Sequence, residues 1–234
     1  MIDRQGKPHA EQLNKWKDYM VDMGYGYKLG IDLPSESRGF IPNAEFYSNS
    51  FRGANWSANS IISISIGQGE VLATPLQIAN LCATIANRGW FYTPHVVKQI
   101  ADSTIDAKYR KKHAPKIRRE YYEDVAKGMR MAVLGGTCRL ANLPGIEVAG
   151  KTGTAQNPHG KDHSAFIGFA PYTNPKIAVC VYVENAGFGA TYGVPIGSLI
   201  IEKYLNGEIS PARKGIEERM LNSNTIVSSG VKKH

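Results

Sequence analysis

Three extended runs followed by one amphipathic stretch restrict this chain more than any other feature of its sequence. The first run covers about 146–155 and includes Val148-Ala149-Gly150-Lys151-Thr152-Gly153-Thr154-Ala155, with Gln156 next. Ser164–Ala170 is the second and Ile177–Val183 the third, with Pro171 to Pro175 as the turn between them. A helix is expected from about Tyr192 to Leu205, with Pro195 near its start and Ile196, Leu199, Ile200 and Tyr204 facing inward. Short connections make consecutive strands antiparallel, and the helix then covers a face of the sheet. The expected class is α+β, an antiparallel sheet with helices packed on its faces. Ile177–Val183 is nearly all apolar, so both its faces are expected to be covered.

Upstream, Leu13, Trp16, Met20 and Met23 repeat at helical steps and predict a helix over 10–23, stopped by Gly24. From Gly24 to about Trp56 the text reads as a long loop of turns and extended pieces, the kind that serves a site. The alternation Ile61-Ile62-Ser63-Ile64-Ser65-Ile66 predicts a strand that breaks at Gly67-Gln68-Gly69. Thr74 and Pro75 then open a helix whose stripe is Ile78, Leu81, Cys82, Ile85 and Ala86. Phe91 to Ile100 reads as extended and 108–119 as loop. A helix is expected over Tyr121–Leu134, with Tyr122, Val125, Met129 and Val133 on one side. The chain divides at 206, and 207–234 is expected to be an extension largely without structure, apart from helix-like Glu217 to Leu221.

Composition narrows the functional classes. In 234 residues, 42% hydrophobic and 21% charged, the chain is an ordinary globular one. No apolar run approaches the ~20 residues of a membrane span, and Met1 to Leu13 lacks the apolar centre of a signal peptide. The net charge is +8 and is concentrated at Lys108, Arg110, Lys111, Lys112, Lys116, Arg118 and Arg119. Such a run could favour an anionic membrane surface or nucleic acid. No stacking platform or recognition-helix pattern accompanies it, so a solvated loop is the expected reading and nucleic acid is not an expected partner. Cys82, Cys138 and Cys180 give no disulfide framework. The histidines show no ligand spacing, so neither a metal nor another cofactor is expected.

Chemistry concentrates at Lys151. On a strand, Thr152 and Thr154 share one face and Lys151 takes the other, while Gly153 lets another backbone approach closely. Such an edge could hold a peptide by strand addition and its carboxylate by two hydroxyls and a cation. Gly145-Ile146-Glu147-Val148-Ala149-Gly150-Lys151-Thr152 also matches the phosphate-loop pattern GxxxxGK[ST]. That reading needs a helix after the lysine, and Thr152 to Pro158 is a poor helix start. The better match is the K-T-G element of serine acyltransferases acting on D-alanyl peptides or β-lactams.

Further stretches carry a resemblance in the same order along the chain. They are Gly30-Ile31-Asp32-Leu33-Pro34-Ser35-Glu36, Ser65-Ile66-Gly67-Gln68-Gly69, Thr74-Pro75-Leu76-Gln77-Ile78-Ala79 and Ala149–Gln156, then Phe169-Ala170-Pro171 and Val183-Glu184-Asn185. Together they resemble the transpeptidase domain of class B penicillin-binding proteins, nearest to the penicillin-binding protein 2 group of the cell-elongation machinery, over about residues 10–206. The resemblance implies part of a β-lactamase/transpeptidase-like fold and a serine D,D-transpeptidase that cross-links peptidoglycan stem peptides, lipid-linked or on glycan strands. β-Lactams would be inhibitors, a cell-elongation glycosyltransferase the partner of the full-length protein, and the periplasmic face of the bacterial inner membrane its location. On the matching positions, Lys151 would hold the serine hydroxyl of the S-x-N motif. Thr152, Gly153 and Thr154 would bind the donor carboxylate, and the Thr154 N–H would form half of an oxyanion hole.

The chain departs from the family at the nucleophile. Its only S-x-x-K is Ser229-Gly230-Val231-Lys232, after the K-T-G and not before it, and its only S-x-N is Ser57-Ala58-Asn59, read as coincidence. The nucleophilic serine and the general-base lysine are therefore expected upstream of Met1, and this chain alone is expected to be inactive. The alternative is a non-catalytic scaffold or partner module, or a β-lactam-sensing fragment completed by another chain.

Overall fold

The computed structural model of the protein describes residues 9–52 and 56–226. They form two compact units, one ending at Tyr122 and the other beginning at Glu123.

In the first unit, helix α1 (His9–Asp22) buries Leu13 against Tyr47 and Ile64, with Trp16, Phe46 and Trp56 around them. Tyr47 belongs to α2 (Ala44–Ser50), a helix inside text that reads as loop. Asn43 caps it, its side chain accepting from the Phe46 N–H at 2.8 Å. The strand expected at 61–66 is instead a 3-10 helix, Ala58–Ile66. Serines decide this. Ser60 Oγ accepts from the Ser57 N–H at 3.2 Å and Ser65 Oγ donates to the Ile62 carbonyl at 2.6 Å, local bonds that compete with strand pairing. Only Ile64 of its four isoleucines is buried.

Helix α3 (Pro75–Ala86) starts as expected, with the Gln77 N–H donating to Thr74 Oγ1 at 3.1 Å and the Thr74 N–H to Gln77 Oε1 at 3.0 Å. Its buried side is Gln77, Asn80, Cys82, Thr84, Ile85 and Ala86, more polar than the expected stripe. The extended reading of 91–100 holds as a strand only for β1 (Phe91–Tyr92), which pairs antiparallel with β2 (Lys112–His113). The basic segment is thus not all loop: it supplies β2, a 3-10 turn at Ala107–Arg110 and the first residue of helix α4 (Arg119–Leu134). Along α4 the buried positions are Tyr122, Ala126, Met129 and Val133, and Val125 is exposed.

The second unit is built on a three-stranded antiparallel sheet, order β3-β4-β5, from β3 (Ala149–Ala155), β4 (His163–Ala170) and β5 (Ile177–Val183). Phe166 in the middle strand is fully buried. A Cβ at Gly150, Gly168 or Gly197 would stand 2.4–2.6 Å from its ring, so those glycines leave the space the ring fills. Helix α5 (Gly193–Asn206) closes this core with Val194 and Ile201, joined by Val133, Leu143 and Val148.

The inward face of α5 differs from the expected one. Val194, Gly197, Ser198, Ile201 and Glu202 are buried, while Ile200 and Tyr204 are exposed. A buried ion pair sets that orientation: Glu202 Oε2 lies 2.9 Å from Arg213 Nε, and Arg213 also donates to Ser198 Oγ at 2.5 Å and to the Leu140 carbonyl at 3.2 Å. Arg213 lies beyond the boundary drawn at 206. That stretch, expected to be largely without structure, carries a 3-10 turn at Pro211–Arg213 and helix α6 (Lys214–Leu221), with Ile209 buried. Residues 227–234 lie outside the described ones. The full cover expected for β5 is also not found, since Tyr182 is 38% exposed and Cys180 only half-buried.

Candidate active site

The Lys151 stretch is the middle of β3, at one end of the sheet order. Among the described residues β3 pairs with β4 alone, so one of its margins carries no strand. Gly150 yields to Phe166, and Gly153 across from Ala165 adds no bulk. The register sets Thr152 opposite Phe166, Thr154 opposite Ser164 and Lys151 opposite Ile167, so the two threonines share a face and the lysine takes the other. Strand geometry continues to Ala155, where a phosphate loop would have begun its helix.

Lys151 and Gly153 are exposed, and Thr152 and Thr154 half-buried. Lys151 Nζ donates to the Thr152 carbonyl at 2.8 Å. Both threonine hydroxyls are held by residues that sequence reasoning did not select. Thr137 Oγ1 is 2.8 Å from Thr152 Oγ1, and the Gly189 N–H donates to Thr154 Oγ1 at 3.3 Å. Gly189 is seated by close approach: a Cβ there would be 2.5 Å from the Gly153 carbonyl oxygen and 2.6 Å from that of Ala165. Ser164 Oγ fixes the same loop, donating to the Phe188 carbonyl at 2.9 Å and accepting from the Gly193 N–H at 3.0 Å. The only sequence signals for these residues are the glycines beside them, Gly135-Gly136 before Thr137 and Gly187 before Gly189.

Cys138 lies beneath this edge with no exposed surface. Burial pushes its thiol up, against the opposing pull of the Thr137 hydroxyl and the Lys151 charge, so it stays protonated at neutral pH. Burial likewise raises the Cys180 thiol to about 11. Neither cysteine is a ready nucleophile. Of the two motif-like serines, Ser57 precedes the 3-10 helix of the first unit, and Ser229 lies outside the described residues.

An exposed K-T-G on a sheet-end strand, backed by a glycine-seated loop and a helix, is the arrangement of a penicillin-interacting acyltransferase. The family model described as "Penicillin binding protein transpeptidase domain" matches residues 9–202. The chain therefore belongs to the penicillin-binding protein transpeptidase family, whose members are serine D,D-transpeptidases of peptidoglycan synthesis.

Among its relatives, the peptidoglycan D,D-transpeptidase MrdA of Acinetobacter baumannii is 39% identical over 204 residues, covering 77% of this chain and 29% of that protein. MrdA of Haemophilus influenzae is 32% identical over 225 residues, covering 86% and 34%. The crystal structure of Pseudomonas aeruginosa PBP2 in complex with WCK 5153 superposes with a TM-score of 0.73 at 30% identity, covering 86% of this chain and 44% of that one. Helicobacter pylori PBP2, solved in complex with MreC, gives 0.70 at 27% identity, covering 83% and 36%. The chain thus spans about a third of the length of the curated relatives it matches. Among the described residues no helix is long and apolar enough to cross a membrane.

Proposed function

We propose that this chain forms the Lys-Thr-Gly wall of the cleft of a peptidoglycan D,D-transpeptidase at the periplasmic face of the bacterial inner membrane. One observation carries the reading: β3 ends the sheet with Lys151 exposed and Thr152 and Thr154 at its margin. In the reaction a serine oxygen attacks the carbonyl of the penultimate D-alanine, the peptide C–N bond breaks, and D-alanine leaves with the serine's proton. An amine of a neighbouring stem peptide then takes the acyl group and frees the serine. A β-lactam would enter the same step and remain as the acyl-enzyme.

This chain's residues bind and polarise. The ammonium of Lys151, which here donates to the Thr152 carbonyl, turns to hold the hydroxyl of the S-x-N serine and adds positive potential. Thr152 and Thr154 bind the donor's terminal carboxylate, and the Thr154 N–H supplies half of the oxyanion hole. The nucleophile and its lysine base come from sequence outside these 234 residues, because Ser229–Lys232 follows the K-T-G instead of preceding it. The full-length protein works with a cell-elongation glycosyltransferase.

The roles are tested in the protein that carries both missing motifs. Lys151→Ala, or Thr152→Val with Thr154→Val, should slow penicillin acylation by on the order of a hundredfold, with circular dichroism unchanged. Stopped-flow rates within about threefold of the parent would contradict the assignment, since losing one such donor costs far more.

A further inference from the structure

The acyl-transfer reading leaves the basic segment unused, and the first unit gives that segment surroundings its sequence does not show. Pairing of Tyr92 with Lys112 places Lys112 Nζ 4.2 Å from the centre of the Trp90 ring. Lys108 Nζ lies 4.6 Å from the centre of the Tyr109 ring, and His95 packs on the same tyrosine with ring centres 4.8 Å apart. That last contact brings the loop 95–103 alongside the turn Ala107–Arg110.

The loop is held in place. Asp32 accepts from the Val96 N–H at 3.0 Å and the Val97 N–H at 2.8 Å, and Ile100 bridges to Ser103. It nevertheless shows water three aliphatic side chains, Val96 at 70%, Ile100 at 66% and Val97 at 37% exposure. Lys98, Lys108, Lys111 and Lys112 are exposed on the same stretch. Two of the nearby carboxylates face amides, Asp32 as above and Asp106 on the Lys108 N–H at 2.9 Å, which leaves Asp102 as the other acid of this stretch.

Aliphatic tips on a fixed loop, with cations and aromatic rings on the same stretch, are what a lipid–water interface selects. A glycan has no use for exposed valine and isoleucine. A stacked nucleic acid needs open aromatic faces, and here lysines sit over Trp90 and Tyr109. We propose that residues 90–113 form a docking surface for an anionic phospholipid bilayer, with Val96 and Ile100 entering the acyl boundary and the four lysines meeting lipid phosphates. The surface does not depend on the chemistry at Lys151.

Flotation of the purified chain with vesicles tests this, because aggregated protein stays at the bottom of the gradient. The chain should float with phosphatidylcholine vesicles containing about a third phosphatidylglycerol, stay down with phosphatidylcholine alone, and be released by about 0.5 M salt. Lys108→Gln, Lys111→Gln and Lys112→Gln together should weaken binding on the order of a hundredfold, and Val96→Ser with Ile100→Ser about tenfold or more. No flotation with anionic vesicles would overturn the proposal. So would equal flotation with neutral ones, binding that survives high salt, or retention on insoluble peptidoglycan without flotation. Should a variant lose its circular dichroism, the lipid and salt dependence of the parent chain decides.

Discussion

The two units are held together by different physics. In the second, a sheet with a continuous register surrounds one ring, Phe166, and three glycines give way to it. In the first, side chains gather loop backbone. Glu36 accepts from the N–H groups of Leu29, Gly30 and Ile31 at 2.6, 2.9 and 3.3 Å. Gln77 donates from Nε2 to the carbonyls of Gly24, Tyr27 and Arg38 at 3.3, 3.1 and 3.0 Å. The difference explains why the family's recognisable text is distributed as it is. In the second unit, Ala149–Gln156 contains β3 with its exposed lysine. In the first, Gly30–Glu36 and Thr74–Ala79 contain the residues that clasp a long irregular loop, and Gln77 Oε1 also accepts from the Thr74 N–H at the start of α3.

The contrast can be broken by mutation. The largest effect belongs to the ring: Phe166→Ala should cost about 3–5 kcal/mol in urea unfolding, since its lost contacts and the cavity add. A loss under about 1 kcal/mol would mean that the glycines and α5 collapse onto the space, and that the sheet unit is not built around it. Next comes the clasp. Gln77→Ala strands the carbonyls of Gly24, Tyr27 and Arg38 at a buried site, and should cost about 1–3 kcal/mol. It should also speed amide exchange in 24–38 while leaving β3 to β5 protected. Uniform loss of protection over both units would contradict the separation.

The same contrast explains what could be read from the sequence. Strands β3 to β5 and helices α1, α3, α4 and α5 announce themselves by period, and the K-T-G strand by residue type. Hydrogen bonds made by short polar side chains do not. Ser60 and Ser65 turned an alternating Ile/Ser run into a 3-10 helix, and Asn43 started an unforeseen helix within loop-like text. On α5 hydropathy points to Ile200 and Tyr204, whereas burial goes to Gly197, Ser198 and a glutamate paired with Arg213. On β3, the shared face of Thr152 and Thr154 and the opposite face of Lys151 are legible from strand alternation. Thr137 and Gly189 are not, because their partners lie 15 and 35 residues away along the chain.

The smallest of these effects sharpens the comparison from the side of the first unit. Thr74→Ala removes the cap of α3 and should cost about 1 kcal/mol, close to what an isolated helix loses. A cost several times larger by urea unfolding would show that the cap also holds Gln77 in its clasp, through the Thr74 hydroxyl that donates to Gln77 Oε1 at 3.4 Å.

The central claim is that these 234 residues supply binding groups for acyl transfer but not its nucleophile. Removing the nucleophile from a comparable acyl enzyme lowers turnover on the order of 10⁶-fold, and the remaining groups cannot hold a covalent intermediate. Incubation of the purified chain with a fluorescent penicillin, followed by boiling in detergent and electrophoresis, tests this directly. The account predicts no labelled band for this chain and a labelled band for the protein carrying the S-x-x-K and S-x-N motifs. A band on this chain, with the adduct mapped to Ser57 or Ser229, would contradict it.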